Sequence, residues 1–86
     1  MYRLYFSPRA KEDLLNLDKN IAQRVLNKLK WLIENIETIS HIPLSEKFSG
    51  LYKLRVGDWR VIYEIKHDEM IVIVHKIGHR SKIYKL

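Results

Sequence analysis

The sequence predicts an α+β fold in which one strand and two helices precede three strands, in the order β-α-α-β-β-β. Apolar residues recur at helical spacing in the first half of the chain, whereas β-branched and aromatic residues dominate the second half. Two short turn signals divide that second half into three segments. Such an order places the N-terminal strand and a helix hairpin against one face of a mainly antiparallel sheet.

The N-terminal segment predicts a strand that is followed at once by a helix. Residues 2–6 are rich in aromatic side chains, and Ser7-Pro8 supplies a capping residue with proline at the first helical position. Ala10, Leu14 and Leu17 then fall on one helical face. The first helix is therefore expected over residues 8–17.

A second, longer helix is predicted after a break at residues 18–20. Its apolar positions keep the helical period: Ile21, Val25, Leu29, Leu32 and Ile36, widened by Ala22, Leu26 and Ile33. Two helices joined by so short a break form an antiparallel hairpin whose apolar faces need a shared partner surface. Residues 39–49 follow neither period and are expected to form a crossing loop.

The C-terminal half predicts a three-stranded meander over residues 51–56, 59–66 and 70–77. A type II′ turn at Gly57-Asp58 would set Arg55 opposite Arg60. Alternation then sorts the side chains onto two faces. An apolar face for the helices has Tyr52, Leu54, Val56, Trp59, Val61, Tyr63, Ile65, Met70, Val72 and Val74. A mixed face has Lys53, Arg55, Arg60, Ile62, Glu64, Lys66, Ile73, His75, Ile77 and His79.

Length, charge and cysteine content narrow the class of protein. Eighty-six residues leave room for one domain, expected over residues 1–86. The net charge of +6 favours polyanionic partners such as nucleic acid or an acidic protein. The absence of cysteine excludes disulfides, thiol catalysis and cysteine zinc sites. No run is apolar enough to span a membrane and no signal stretch begins the chain, so a cytoplasmic protein without membrane association is expected.

The mixed face carries a pairing of like charges that stability alone does not favour. Arg55 opposite Arg60, with Lys53 nearby, costs an antiparallel pair about 0.2–1 kcal/mol. The segment over residues 77–84 adds basic and aromatic side chains that can fold over the same face. Cations hold phosphates and aromatic planes stack on unstacked bases, so this surface suits a phosphodiester. A merely solvated basic face remains the plainer interpretation.

Two blocks of sequence resemble a known toxin superfamily. The run LYKLRVGDWRVIYEI over residues 51–65, followed by IGHR at 77–80 and by Ile83-Tyr84, resembles the RelE/ParE toxins. The C-terminal block is similar to the RelE branch, which implies a ribosome-dependent endoribonuclease that cleaves messenger RNA without a metal ion or other cofactor. The resemblance also implies the ribosome, messenger RNA and a cognate antitoxin as partners.

The same resemblance implies a set of site residues. The implied catalytic residues are Lys53, Arg60, Arg80 and Tyr84, and Arg55 also matches a basic position of the family. The predicted RNA-binding residues are Lys53 and Arg55 together with His79 and Lys82, which are basic side chains of the segment over residues 77–84. The sequence departs from the family pattern in two ways. Leu51 stands where a second lysine is frequent, and the segment between Arg80 and Tyr84 is shorter than in well-known members. A metal site is not expected, because the four histidines lack ligand spacing.

The implied reaction is attack of a ribose 2′-hydroxyl on the adjacent phosphate. Because arginine stays protonated, Arg60 and Arg80 are expected to clamp the phosphate. Tyr84, Lys53 or a histidine must exchange the protons, and this assignment stays open. His75 is equally well explained as an ordinary partly buried histidine and is left out of the set.

Two other functions compete with RNA cleavage. A ParE-like inhibitor of DNA gyrase shares the fold without cutting RNA, although Arg80 and Tyr84 argue against it. The other alternative is a non-catalytic module whose basic face only binds RNA or an antitoxin. Trp31 and Trp59 are expected in the core in each case, because both fall on predicted apolar faces.

Overall fold

The computed structural model describes residues 1–45 and 50–84 and contains two helices and five strands. In chain order they are β1 (Arg3–Phe6), α1 (Pro8–Leu15), α2 (Lys19–Glu34), β2 (Ile42–Pro43), β3 (Leu51–Val56), β4 (Trp59–Lys66) and β5 (Ile71–His79). The strands form a sheet of order β1-β5-β4-β3-β2, with β1 parallel to β5 and the remaining pairs antiparallel. The predicted α+β class is confirmed.

The predicted crossing loop over residues 39–49 contains an unexpected strand. β2 pairs antiparallel with β3, and Pro43 lies opposite Tyr52. Proline fits there because β2 is an edge strand, where a missing N–H removes no ladder bond to an outer neighbour. Residues 46–49 of the predicted loop lie outside the described residues.

Both helices begin after a capping residue, of which the sequence analysis predicted Ser7. The Ser7 Oγ atom accepts from the Ala10 amide at 3.1 Å, and the Asp18 carboxylate accepts from the Asn20 amide at 3.1 Å. The first helix ends at Leu15, two residues earlier than predicted. In the described part of the chain, neither helix is long and apolar enough to cross a membrane.

The core lies between the helices and one face of the sheet. From α2 it takes Val25, Leu29 and Leu32, each fully buried, and each contributes about 1.5–3 kcal/mol. The sheet supplies Leu54, Val56, Val61, Tyr63, Val72, Val74 and Ile77. Trp59 packs against this core as predicted.

Three large residues that the sequence pattern assigned to the apolar surfaces are instead exposed. Leu26 on α2 is 37% exposed. Trp31 is 39% exposed, and the Lys28 Nζ atom lies 3.9 Å from its ring centroid. Met70 is 40% exposed because it lies in the β4–β5 turn with φ 56°. Hydrophobic periodicity identified the helix and the turn region but placed these three side chains wrongly.

A β-bulge interrupts the pairing of β4 with β5. Ile62 lies opposite Lys76, whereas the next residue, Tyr63, lies opposite Val74. His75 is therefore the extra residue, with no partner across the ladder. Such a bulge reverses the alternation of every residue that follows it.

The reversal corrects the predicted composition of the mixed face. Ile77 is only 4% exposed and belongs to the core. His79 lies opposite Trp59, and their ring centroids are 5.4 Å apart in an edge-to-face contact. The prediction that Ile77 and His79 share the mixed face with Lys53 is thus wrong.

Candidate functional site

The sheet face that the helices leave uncovered, called the outer face below, carries an open groove of about 640 Å³. Its lining residues are Arg9, Leu44, Ser45, Leu51, Lys53, Ile62, His75, Lys76, Ile83 and Tyr84. The floor includes Ile62 and Ile83, which are 5% and 2% exposed. An apolar floor with a few cationic and aromatic groups around it is typical of a ligand site.

The segment after β5 folds back over the outer face, as the sequence suggested. At Gly78 an added Cβ would lie 2.9 Å from the Ile83 Cδ1 atom, so the missing side chain leaves room for this packing. The Ile83 amide donates to the His79 carbonyl at 2.9 Å, and Lys76 Nζ donates to the Ile83 carbonyl at 3.0 Å. These contacts hold Tyr84 beside the groove.

Two of the four predicted catalytic residues meet in the groove. The Lys53 Nζ atom lies 5.5 Å from the ring centroid of Tyr84, within the range of a cation–π contact. Tyr84 is 45% exposed, and so remains open to a ligand. An ammonium and a phenol, both groups that can exchange a proton, are thus neighbours on one surface.

The other two predicted catalytic residues each contact the β3–β4 turn. Arg60 Nη1 donates to the carbonyls of Gly57 and Trp59, both at 2.8 Å. Arg80 Nε lies 3.6 Å from a carboxylate oxygen of Asp58, and the Arg80 amide donates to the Asp58 carbonyl at 2.8 Å. The two arginines therefore converge on adjacent residues, although neither lines the groove.

This turn has the geometry that the sequence indicated. Gly57 has φ 59°, and the ladder places Arg55 opposite Arg60 as predicted. A third arginine joins them from α2, since a Cβ at position 57 would lie 2.7 Å from Arg24 Nη2. The helix period gave no signal for Arg24, because its contact with the turn depends on how the helix packs on the sheet.

The remaining predicted RNA-binding residues, His79 and Lys82, lie beside the groove and not in it. They line a neighbouring depression of about 520 Å³. This depression shares three residues with the groove: Arg9, Lys76 and Ile83. The two concavities form one continuous basic surface along the C-terminal segment.

The groove residue His75 makes a hydrogen bond to Glu64, and the predicted site includes neither residue. His75 Nε2 lies 2.9 Å from a Glu64 carboxylate oxygen, and the side chains are 38% and 34% exposed. Strand alternation placed both residues on this face, but nothing in the sequence indicated their contact across the bulge. Among the residues described, no group of three His, Asp or Glu side chains is arranged to hold a metal ion.

Comparison with known proteins yields a consistent set of toxins. The profile of the ParE toxin of the type II toxin-antitoxin system parDE matches residues 4–84. A RelE-like toxin protein of Escherichia coli is 33% identical over 92 aligned positions, covering 99% of this chain and 92% of that protein. Toxin RelE1 of Methanocaldococcus jannaschii is 36% identical over 75 positions, covering 78% of this chain and 81% of that protein.

The fold is also similar to solved toxin structures. A chain in the toxin-antitoxin complex RelBE2 of Mycobacterium tuberculosis superposes with a TM-score of 0.81 at 25% identity. The superposition covers 92% of this chain and 98% of that one. The matched family profile spans every residue that lines the groove.

Proposed function

Because this chain belongs to the RelE/ParE superfamily of type II toxin-antitoxin toxins, we propose that it is a ribosome-dependent endoribonuclease that cleaves messenger RNA and so inhibits translation. The observation that carries the proposal is the meeting of Lys53 and Tyr84 in an open groove, at 5.5 Å. The names of the relatives, RelE-like toxin protein and toxin RelE1, support the RelE branch.

The proposed reaction is an attack of the ribose 2′-hydroxyl on the adjacent phosphate, with departure of the 5′-oxygen. It needs one group that accepts a proton, one that donates a proton, and cations that stabilise the charge on the phosphate. Lys53 and Tyr84 are candidates for the proton transfers, because an ammonium and a phenol can both take part in them.

In this proposal Arg60 and Arg80 bind the phosphate, because a guanidinium stays protonated and offers several donors to phosphate oxygens. Arg60 donates hydrogen bonds to two neutral carbonyls of the turn. Arg80 pairs with Asp58 at 3.6 Å, and both side chains are more than 60% exposed. A surface pair of this kind is worth about 0–1 kcal/mol, so a phosphate can replace the carboxylate at little cost.

The outer face offers a continuous path between the groove and the turn. Lys53 and Arg55 lie two residues apart on β3. They are opposite Ile62 and Arg60 on β4. Residues two apart on a strand lie on the same face. A single RNA strand that runs along β3 on this face therefore contacts Lys53 in the groove first, and then Arg55 and Arg60 near the turn.

We also propose an antitoxin as the protein partner of this chain, in the cytoplasm where ribosomes are found. The solved RelBE2 structure is by its name a toxin-antitoxin complex. A net charge of +6 and a groove with an apolar floor favour a partner that brings acidic side chains and an apolar segment.

The function is tested by induced expression of the wild type beside Arg60→Ala, Arg80→Ala and Tyr84→Phe, with messenger RNA ends mapped on ribosomes. We expect growth arrest and ribosome-positioned cuts for the wild type. Each arginine variant should cut about 10²–10³-fold more slowly, the loss measured for oxyanion-type donors. Arg3→Ala, an exposed arginine on β1, is the matched control and should behave as the wild type.

A second candidate, inhibition of DNA gyrase, is supported by the matched family profile, which describes a ParE toxin. A supercoiling assay with purified protein separates the two functions. Gyrase poisoning without translation-dependent cuts would replace the RNA proposal. A purely binding module would produce no growth arrest at all.

A further inference from the structure

The His75 and Glu64 pair has the geometry of a base and the carboxylate that orients it. We propose that His75 is the general base that removes the 2′-proton, and that Glu64 is the positioning residue that holds its imidazole. This inference rests on the proposed RNA cleavage, and it goes beyond the residues that the family resemblance implies.

The bulge places a second side chain, Lys76, beside His75 in the groove. In a regular strand His75 and Lys76 would point to opposite faces of the sheet. Here both line the groove, because His75 is the extra residue between the Tyr63–Val74 and Ile62–Lys76 pairs. Bulges re-aim side chains in this way, and they are frequent beside active sites.

Contacts from the start of α1 hold the bulge in place. The Ser7 hydroxyl donates to the His75 carbonyl at 3.1 Å, and the Ser7 amide donates to the Val74 carbonyl at 2.9 Å. On the other side, an Asp13 carboxylate oxygen accepts from the Ile77 amide at 3.0 Å. The backbone on both sides of His75 is thus anchored, which fixes the direction of its side chain.

The carboxylate determines which ring nitrogen can act. A carboxylate at 2.9 Å only accepts, so in the neutral ring Nε2 carries the proton and donates it to Glu64. The lone pair then lies on Nδ1, which has no hydrogen-bond partner among residues 1–45 and 50–84. Nδ1 of a half-exposed imidazole is therefore available to accept a proton from a ligand.

In the proposed step the His75 Nδ1 atom takes the 2′-proton while the 2′-oxygen forms a bond to phosphorus. The bond from phosphorus to the 5′-oxygen breaks, and the 5′-oxygen takes a proton from Tyr84 or Lys53. The products are a 2′,3′-cyclic phosphate and a free 5′-hydroxyl. Glu64 stabilises the imidazolium that forms.

The groove surrounds His75 with charged and titratable groups from every neighbouring element. They are Arg9 on α1, Lys53 on β3, Glu64 on β4, Lys76 on β5 and Tyr84 on the C-terminal segment. Arg9, Lys53 and Lys76 surround the place that a phosphate beside His75 would occupy, where cations stabilise its negative charge.

The test is single-turnover cleavage of a messenger RNA by the full-length protein on purified ribosomes, measured as a function of pH. We expect His75→Ala to cut about 10²–10⁴-fold more slowly, the range for loss of a general base. Added imidazole should restore part of the rate. Glu64→Gln should cut about tenfold more slowly across the pH range.

His67→Ala, a histidine in the β4–β5 turn outside the groove, is the matched control and should keep the wild-type rate. His75→Gln is the second variant if His75→Ala fails to fold. If a His75 variant cuts at the wild-type rate while Arg60→Ala is impaired, His75 is not the general base, but the proposal of RNA cleavage stands. A slow His75→Ala without imidazole rescue, beside an unchanged Glu64→Gln rate, gives His75 a structural role and also overturns the proposal of a general base. A wild type that makes no cuts overturns both proposals.

Discussion

The carboxylate of Asp13 in α1 accepts a hydrogen bond from the Ile77 backbone amide in β5 at 3.0 Å. β1 pairs with β5 only as far as Phe6 opposite Val74, so it leaves this part of the β5 edge uncovered. The Asp13 side chain, which is 15% exposed, supplies the hydrogen-bond acceptor that a neighbouring strand would otherwise provide. The first helix is therefore part of the sheet's hydrogen bonding as well as its cover.

Asp13→Ala should lower the free energy of unfolding by about 1–3 kcal/mol, because it leaves the partly buried Ile77 amide without an acceptor. Urea unfolding followed by circular dichroism measures this change. Glu12→Ala, at the adjacent exposed position of the same helix, is the control and should lower the free energy of unfolding by less than about 0.5 kcal/mol. Equal costs for the two variants would show that the Asp13 contact contributes nothing.

Asp58→Asn should strengthen the binding of single-stranded RNA, because it frees the Arg80 guanidinium and removes a negative charge from the turn. One additional phosphate contact should steepen the log–log salt dependence of the binding constant by about 0.7. Filter binding at several salt concentrations measures the slope. Asp68→Asn makes the same charge change in the distant β4–β5 turn, and it should leave the slope as in the wild type. A similar effect of both variants would mean that net charge alone matters.

Ile83→Ala should detach the C-terminal segment from the outer face without unfolding the helix-covered core. Ile83 is 2% exposed, but it packs on Gly78, on the side of the sheet away from that core. The Ile83 amide, now bonded to His79, should therefore exchange with deuterium at least about tenfold faster. Ile42→Ala, at an exposed position of β2, is the control. Unchanged exchange at residue 83 would contradict this role of the side chain.

Stability should fall between pH 10 and pH 12 because of Tyr63. Burial raises the pKa of Tyr63 from 10.0 to about 12, and the nearby Tyr52 adds to the shift. The unfolded chain therefore loses this proton at lower pH than the folded protein does. The stabilisation is complete below pH 10, and about 2–3 kcal/mol of it is lost as the pH rises through 12.

Tyr63→Phe removes this titration and should flatten the decline, measured by urea unfolding from pH 8 to pH 12. At pH 8 the variant should be about 1 kcal/mol less stable, because His41 loses its hydrogen bond from the Tyr63 hydroxyl. Tyr5→Phe makes the same substitution at an exposed position of the edge strand β1 and is the matched control. An undiminished decline in Tyr63→Phe would assign the alkaline loss to other groups.

Most of the secondary structure could be predicted because it depends on neighbouring residues. The bounds of β3 and β4 agree with the prediction, and the glycine turn places Arg55 opposite Arg60 as expected. The alternating pattern also placed Lys53 on the outer face. Local preferences and a two-residue turn are sufficient to set this register.

The composition of the groove could not be predicted in the same way. Two hydrogen bonds hold the bulge, from Ser7 to the His75 carbonyl and from the Ile77 amide to Asp13. They join residues that are 68 and 64 positions apart in the chain, so local sequence preferences do not determine them. The groove position of Arg9 and the contact of Arg24 with the turn likewise depend on how the helices pack on the sheet.

The sequence by itself thus determined the order of the elements other than β2, the register of the β3–β4 hairpin and the family to which the chain belongs. Tertiary structure alone decided that Ile77 enters the core, that His75 contacts Glu64, and that Arg60 and Arg80 bind adjacent residues of the turn. The physical reason is that one extra residue in a strand reverses all later side chains, and distant hydrogen bonds determine whether that residue is accommodated.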